Sequence, residues 1–388
     1  MILVERHYIR ATNEIIRLCS LSKELYNRCN YLMRQAWFNQ QHLKHRRLPD
    51  INFLRNETKD LDCFKELHNT KTAMQTIRKV LIDWSNYCKA LKVYSKDKSK
   101  FLRCPKPPNY KNKLAQVIFF NETIKGGRSK NKIESLIPTN DCFSVPFKEN
   151  YKQVIINPKS FGFMIEVQYE SKEIEKPKLD KKKIATIDIG LNNLCAITLD
   201  QQRPILINGR IVKSINQWYN KNQCKSRLKK RYFRLENYFH HVSKYIVDLC
   251  VENKIGKLII GKNNGWKQNI RLGKKTNQNF CSIPCYTLLE KIKYKATIVG
   301  LDVIFTEESY TSKASFYDRD PLPSYGEEKA EFSGKRKCRG LYLTKDGFAL
   351  NADINGSMNI GRKVIPEFLG IRDRSLAARP IVINPLKI

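Results

Sequence analysis

The stretch KKIATIDIGLNNLCAITLD, residues 182–200, decides how the rest of the chain is interpreted. A basic lead-in is followed by the β-prone run 184–187, then by Asp188, an Ile-Gly step and a second apolar run. Two β-prone runs separated by a polar, glycine-containing turn predict a β-hairpin. Asp188 then stands at the end of the first strand, and Gly190 keeps the turn beside it uncrowded.

The order of the predicted elements after residue 180 indicates a nuclease core. This β-β-β-α-β-α-β-α order is that of the ribonuclease-H-like fold, in which a strand-end acid such as Asp188 is the first metal ligand. The last helix opens with ADINGSMNI, residues 352–360, so Asp353 is a second candidate ligand, with helix N-capping as its alternative role. The elements are strands 184–188, 194–198 and 205–208, helix 222–252, strand 257–261, helix 284–299, strand 302–306 and a helix from near Ile354.

The charge of the chain indicates its partner. In 388 residues, 72 Lys and Arg face 37 Asp and Glu, a net charge of +35. Such an excess repels itself unless a polyanion neutralises it, so nucleic acid is the expected partner. The sequence shows neither a membrane-spanning apolar run nor a signal peptide, and the 12 cysteines form no CxxC pair. We therefore expect reduced thiols and a cytoplasmic location, nucleoid-associated in a bacterium.

The first 180 residues predict a helical unit inserted into a small β-barrel. Apolar residues at helical spacing predict helices over 12–38 and 70–94. Alternation predicts strands over 116–120, 153–156 and 163–169. The lysines and aromatic residues of this part suit contacts with RNA or single strands, and a plain structural domain is the alternative.

Together these motifs resemble TnpB, the family of RNA-guided nucleases encoded by insertion sequences and related to type V CRISPR effectors and Fanzor proteins. The resemblance runs through FLRCPKPPNYKNK (101–113), TIDIGLNNL (186–194), LIIGKNNGWKQN (258–269), TEESYTSKASF (306–316) and ADINGSMNI. It implies an α/β fold plus a β-barrel, with a RuvC-like (RNase H-like) nuclease domain. The implied domains are a wedge-like β-barrel of 1–10 and 101–178, a helical recognition domain of 11–100, the nuclease domain of 179–308 and 353–370, an inserted target-nucleic-acid-binding segment of 309–352, and a flexible tail of 371–388.

One departure from the family concerns the third acid. In most members the second RuvC strand, here Lys257–Gly261, ends in the catalytic Glu, whereas this chain has Gly261. Fanzor-like relatives carry a Glu three residues before the Thr of the YTS motif, and here that residue is Glu308. The resemblance therefore implies a relocated glutamate at Glu308, with Glu307 as its alternate.

The resemblance gives Asp188, Glu308 and Asp353 as catalytic, metal-binding residues. Carboxylates are the natural ligands of Mg²⁺ or Mn²⁺, and two such ions suit phosphodiester hydrolysis. Asp188 bridges both ions in this interpretation, while Glu308 and Asp353 each complete one. If neither Glu307 nor Glu308 serves, the nearest other acids are Asp318 and Asp320.

A second departure lies in the insertion. Family members usually carry four zinc-binding cysteines after the YTS motif, whereas Cys338 is the only cysteine between 309 and 352. We therefore expect no zinc. The insertion is expected to be held by its own apolar packing, with Phe316, Tyr317, Tyr325, Phe332, Leu341 and Tyr342 as candidates.

Several residues outside the acid set are candidates for nucleic-acid contact. Lys313, just past the YTS motif, is a candidate for touching the scissile phosphate. Trp266 and Lys267 are candidates for stacking on or clamping a single strand, with a core Trp as the alternative. Six cations at the start of the long helix predict a phosphate-tracking face, with an ordinary solvated face as the alternative. They are Lys225, Arg227, Lys229, Lys230, Arg231 and Arg234.

The function implied by the resemblance is a guide-RNA-directed, divalent-metal-dependent endonuclease that cuts double-stranded DNA next to a short flanking motif. Base pairing with the guide RNA selects the target, while the protein reads the flank. We expect a monomer with one RNA. One alternative, for which Gly261 argues, is an RNA-guided DNA-binding protein that does not cut. Another is an unguided RuvC or RNase H-type nuclease, which leaves the first 180 residues unexplained.

Overall fold

The computed structural model describes residues 2–40, 47–125, 135–138, 140–147, 150–170, 175–262, 283–324, 330–338 and 340–387. The chain divides into two compact units, 1–172 and 173–388, and each has its own apolar core. In the described part of the chain, no helix combines the length and apolar character needed to cross a bilayer.

Two long helices dominate the first unit and confirm the helical periodicity of the sequence. The side chain of Thr12 accepts a hydrogen bond from the Ile15 amide at 3.2 Å, which caps the first of them. Trp84 is fully buried on the second and donates from Nε1 to Asn30 on the first at 2.8 Å. The helices are α1 (Asn13–Asn39), α2 (Ile51–Thr58), α3 (Asp62–Lys65) and α4 (Thr70–Lys96).

The strands of the first unit form an open antiparallel sheet. Its order is β1-β6-β5-β2, and β3 pairs separately with β4. Within the described residues β1 and β2 are edge strands and do not pair with each other, so a sheet stands where the sequence predicted a barrel. Alternation predicts half-buried strands but not whether two edges meet. The strands are β1 (Ile2–Ile9), β2 (Val117–Phe120), β3 (Ser135–Leu136), β4 (Val145–Pro146), β5 (Tyr151–Lys159) and β6 (Gly162–Glu170).

The second unit is built on a mixed six-stranded sheet. Its order is β11-β10-β7-β8-β9-β15. The strands β7, β8 and β9 are antiparallel neighbours, whereas β10 runs parallel to both β7 and β11. The strands are β7 (Asp180–Asp188), β8 (Asn193–Leu199), β9 (Ile205–Asn208), β10 (Ile255–Gly261), β11 (Asp302–Thr306) and β15 (Ile381–Ile383).

Helices cover both faces of this sheet and determine which way Asp188 faces. The buried residues of α6 and α7 share one apolar cluster with Ala185 and Ile187 of β7. On the other face, Ser357 of α8 is hydrogen-bonded to the hydroxyl of Thr186 at 2.9 Å. Since strand residues alternate faces, Asp188 shares the face of Thr186. The helices are α5 (Arg210–Lys221), α6 (Lys225–Glu252), α7 (Cys285–Val299), α8 (Ala352–Val364) and α9 (Arg374–Ala378).

The insertion contains a small antiparallel sheet of order β12-β13-β14. Phe316 and Tyr342 are buried, and the Tyr342 hydroxyl donates to the Lys313 carbonyl at 2.7 Å. Tyr317, Phe332 and Leu341 are half-buried, while Tyr325 lies outside the described residues. The strands are β12 (Lys335–Cys338), β13 (Leu341–Leu343) and β14 (Ala349–Asn351).

The prediction of a flexible tail over residues 371–388 is wrong. The segment forms α9 and then β15, which pairs in parallel with β9 at the edge of the sheet. The Ile381 amide also donates to the Pro204 carbonyl at 2.8 Å. A strand of three residues is too short to show a hydrophobic period in the sequence. Pairing with β9 stabilises it instead. The other domain boundaries remain predictions.

Candidate active site

Three neighbouring parallel strands end at one edge of the six-stranded sheet. β7 ends at Asp188, and β10, beside it, ends at Gly261. β11 ends at Thr306, which pairs directly with Gly261, and Glu308 follows two residues later. Since parallel strands bring their carboxyl ends to one edge, the acids of β7 and β11 flank the glycine of the middle strand.

The carboxylate of Glu308 lies over Gly261. A Cβ atom at position 261 would stand 2.8 Å from Glu308 Oε2 and 2.6 Å from Ile360 Cδ1, closer than real Cβ atoms approach other atoms. The space that a side chain at the end of β10 would take is therefore filled by a carboxylate from β11. This geometry supports Glu308 as the third acid in place of a glutamate at 261.

Asp353 is not the N-cap of α8, because Asn351 has that role. The Asn351 side chain accepts from the amides of Asp353 and Ile354 at 2.9 and 3.3 Å. The carboxylate of Asp353 is thus left to other partners. It accepts from the side-chain amide of Asn193 at 2.8 Å and from Arg336 at 3.3 Å.

Gly356 allows α8 to approach Asp188 closely. A Cβ atom at 356 would stand 2.8 Å from Asp188 Oδ2. One residue later, Ser357 donates to the Thr186 carbonyl at 3.1 Å and holds this turn of the helix on β7. The helix that begins with Asp353 therefore packs against Asp188, and a shared site for the two acids remains the prediction made from ADINGSMNI. Asn355 has a structural role and donates to Ala314.

The electrostatics of Asp188 are those of a carboxylate among other carboxylates. Burial, together with the negative charge of Asp353, raises the pKa of Asp188 to about 7, although Arg336 opposes the shift. A cation placed beside Asp188 would stabilise the ionised form of this carboxyl group. A strongly perturbed carboxyl next to a second acid is typical of a functional site.

Glu308 is coupled to the same group. Burial, followed by the charges of Asp188 and Glu307, raises the pKa of Glu308 to about 8, and Lys363 opposes the shift. Asp188 is therefore within electrostatic reach of both Glu308 and Asp353. Among the three predicted acids, Asp188 is the one that interacts with both of the others.

The donor set fits ions that need few protein ligands. No group of three or more His, Cys, Asp or Glu that could hold a metal ion occurs among the described residues. Mg²⁺ is commonly bound by one or two carboxylates together with water and substrate phosphate, so two carboxylates per ion suffice. Asp188 together with Glu308, or together with Asp353, would supply two carboxylates with hard oxygen donors to such an ion.

Glu307 is directed to partners other than Asp188. Its carboxylate forms a salt bridge with Lys363 and accepts from the amide and hydroxyl of Ser309 at 3.2 and 3.1 Å. Of the two adjacent glutamates, Glu308 is the one that lies against Gly261. The geometry therefore favours the assignment made from the YTS motif.

The other predicted contact residues are placed less decisively. Lys313 is exposed, and its Nζ lies 5.9 Å from the centre of the Tyr310 ring. Trp266 and Lys267 lie outside the described residues, which resume at 283. These three remain candidates from sequence alone.

The cations of α6 surround aromatic residues of α5. Arg227 and Arg234 stand over the Trp218 ring, 5.1 and 5.0 Å from its centre, and Arg231 stands 5.4 Å from that of Tyr219. These three arginines are thus held in place by packing. Of the three lysines, Lys225 and Lys230 are exposed and Lys229 is half-buried. A nucleic-acid role for the six remains a prediction.

Three residues at the site were not found from the sequence. Asn193 and Arg336 bind Asp353, and Lys363 binds Glu307, across separations of 160, 17 and 56 residues. Asn193 stands in the quoted GLNN turn and could have been noted. The signals for the two cations are lost among the many other basic residues.

Comparison with known proteins agrees with the motifs. Residues 286–360 match the Cas12f1-like TNB domain. TnpB-like protein ORF457 of Acidianus two-tailed virus is 21% identical over 408 residues, which cover 90% of this chain and 83% of the relative. The chain is similar to TnpB-like and Cas12f1-like proteins. The relocated glutamate and the absence of zinc remain predictions.

Solved structures show likeness at low identity. The chain is similar to the protein in a cryo-EM structure of a Cas12f1–sgRNA–target DNA complex, at 15% identity and a TM-score of 0.36. The match covers 94% of this chain and 100% of the solved chain. A CRISPR-Cas12f ternary complex covers 92% and 82%, at 15% identity and a TM-score of 0.31. A crystal structure of AacC2c1 with sgRNA and extended non-target DNA covers 92% and 32%, at 10% identity and a TM-score of 0.30.

Proposed function

We propose that this chain is a guide-RNA-directed, divalent-metal-dependent endonuclease that cuts double-stranded DNA beside a short flanking motif. The proposal is supported by the position of Glu308 against Gly261 of β10 and of Asp188 against Gly356 of α8, the helix whose first turn carries Asp353. Glu308 fills the space above Gly261, which supports Glu308 as the substitute for the acid that β10 lacks.

The chemistry follows from the donor set. Divalent ions held by Asp188 with Glu308 and by Asp188 with Asp353 would supply an activated water and charge neutralisation at the leaving oxygen. Asp188 would be the ligand shared by both ions, since its carboxylate interacts with both other acids. Gly356 and Gly261 keep the space around these carboxylates free of side chains.

The surrounding residues fix the acids before substrate arrives. Ser357 ties α8 to β7, and Asn193 orients one oxygen of Asp353. Arg336, on β12 of the insertion, balances part of the negative charge at Asp353. Preorganised groups of this kind need little rearrangement at the moment of reaction.

The nucleic-acid partners are inferred from charge and similarity. A net charge of +35 favours a polyanionic partner. The resemblance of the motifs to TnpB implies that this partner is a guide RNA together with a target duplex. Sequence selection is assigned to base pairing, which leaves the protein to bind backbone and flank.

A non-cutting, RNA-guided DNA-binding protein is the second candidate. It is favoured by Gly261 and by the engagement of Asp353 with Asn193 and Arg336. Against it stands the presence of Asp188 and Asp353 in the chain, together with the position of Glu308 against Gly261.

The deciding experiment purifies the protein with its associated RNA, sequences that RNA, and offers a matching duplex with a randomised flank. We expect one abundant structured RNA and Mg²⁺-dependent cutting next to a defined flank. RNA-dependent duplex binding without cutting at any flank identifies the binding protein instead. Undiminished cutting by RNA-free protein identifies an unguided nuclease.

A further inference from the structure

One face of α8 follows the ends of three strands in order. Residues 353, 356, 360 and 363 are spaced by three and four, so they lie along one side of the helix. Gly356 faces Asp188 at the end of β7, and Ile360 faces Gly261 at the end of β10. Lys363, in the last turn, meets Glu307 just after β11. The helix that begins with one acid of the site therefore ends with a cation beside another.

Lys363 is held tightly in this position. Its side chain is 7% exposed, and Nζ donates both to Glu307 Oε1 and, at 3.2 Å, to the Pro323 carbonyl. Glu307 itself is 40% exposed and is also bound by Ser309. A lysine this buried needs a partner of opposite charge, and the structure provides Glu307.

The contact addresses an ambiguity that the strand itself leaves open. β11 ends at Thr306, so regular strand alternation no longer decides which of Glu307 and Glu308 turns towards Gly261. Both are glutamates with the same reach. A fixed cation beside one of them breaks the tie.

We propose that Lys363 is a positioning residue that clamps Glu307 away from the site and thereby selects Glu308 as the third metal-binding acid. The inference rests on the proposed function for its biological meaning, but the clamp itself concerns only metal binding by the protein. The clamp also neutralises the adjacent charge of Glu307, which would otherwise repel Glu308 and compete for the same ion.

The test is a double-mutant cycle at Lys363 and Glu307, made in the full-length protein freed of RNA. Wild type, K363M, E307Q and E307Q/K363M are titrated with Mn²⁺, and the free ion is followed by electron paramagnetic resonance. D188N gives the binding that does not involve the site. Thermal unfolding without metal shows whether each variant is folded.

We expect K363M to weaken site-specific Mn²⁺ binding by about tenfold or more, as changes beside metal ligands commonly do. E307Q should bind nearly as wild type, because Glu307 is not a ligand. The double mutant should bind within about threefold of E307Q, because no unclamped charge remains to be restrained. A merely structural role of Lys363 would not be rescued by removing Glu307.

Three outcomes overturn the clamp: K363M that binds Mn²⁺ as wild type, a double mutant as weak as K363M, or E307Q that loses the site by itself. A loss in E307Q that persists in the double mutant makes Glu307 the ligand, because no Lys363 charge then remains to pair with Glu308. The titration requires neither guide nor target. If no flank is cut but the four proteins bind Mn²⁺ as expected, the endonuclease proposal is rejected and the clamp is retained. If a flank is cut but the Mn²⁺ titrations show one of the three outcomes above, the clamp is rejected and the endonuclease proposal is retained.

Discussion

Two regions of the second unit use buried carboxylates in opposite ways. At the strand ends, burial raises the pKa values of Asp188 and Glu308, and neighbouring carboxylates raise them further. In the insertion, Asp320 accepts from the Ser315 amide at 2.7 Å and from the Ser333 hydroxyl at 2.6 Å. The first region concentrates negative charge, whereas the second gives it donors.

Asp318 shows the contrast most directly. Burial opposes its ionisation, and so does the charge of Asp346. Hydrogen bonds from the Ser315 and Ser333 side chains and the Lys345 amide outweigh both and hold its pKa below the usual range. Carboxylates that accept hydrogen bonds from nearby donors hold loops together in their ionised form. Carboxylates packed against one another need a cation to stabilise their ionised form. Asp318 and Asp320 are thus poor substitutes for the third acid of the site.

The largest expected effect on cleavage comes from substitution of Asp188, the acid that interacts with both of the others. D188N should lower single-turnover cleavage by about a thousandfold or more, because the ligand shared by both ions is lost. RNA binding should be unchanged, as measured by filter binding. The protein should be no less stable, since a buried anion is removed. Cleavage within tenfold of wild type would break the comparison at its strongest point.

A smaller effect is expected from G261A. The added Cβ atom would stand 2.8 Å from Glu308 Oε2 and 2.6 Å from Ile360 Cδ1, so the carboxylate must move. We expect cleavage to fall by roughly ten- to a hundredfold, as for displaced catalytic groups. I360V and G261A/I360V are the controls, because trimming Ile360 relieves only the second contact. Full recovery in the double mutant would mean that Glu308 does not matter there.

D320N should affect stability and not chemistry. The charge that holds Ser315 and Ser333 together is removed, at a cost of about 2 kcal/mol in the free energy of unfolding. In a unit of this size the melting temperature should fall by roughly 4–8 °C. The Mg²⁺ concentration for half-maximal cleavage should stay the same. A shifted Mg²⁺ requirement would place Asp320 in the site after all.

The smallest effect concerns the pH dependence of Asp318. Because its pKa is lower in the folded state than in the unfolded state, ionised Asp318 stabilises the protein above the unfolded pKa, and this contribution is lost as the pH falls through the folded pKa. Chemical denaturation of wild type and D318N should differ by about 1 kcal/mol near neutral pH. The difference should shrink below about pH 4. A difference that grows on acidification would contradict the assignment.

Much of the site was predictable because its signals are local. The strand-end position of Asp188 follows from one hairpin pattern, and the helix that carries Asp353 follows from ADINGSMNI. The relocation to Glu308 required the family resemblance, since nothing local distinguishes it from Glu307. Its position over Gly261 depends on the pairing of β10 with β11, which only the fold provides.

What the sequence could not supply depends on distant partners. The helix α5, Arg210–Lys221, was missed, and it packs its aromatic residues against arginines of α6. The tail strand β15 exists because β9 offers it an edge. Lys363 is one of 72 basic residues until Glu307 is seen beside it. In each case a tertiary contact stabilises what local pattern leaves undecided.

The claim that Glu308 has replaced the missing acid of β10 is tested most directly by a matched pair of substitutions. Single-turnover cleavage of a matched duplex is measured for E308Q and E307Q, each with its RNA bound and at saturating Mg²⁺. Because Gln keeps the shape and removes the charge, E308Q should abolish cleavage while RNA and target binding persist, and E307Q should cut nearly as wild type. Normal cutting by E308Q, or loss of cutting by E307Q alone, would contradict the account.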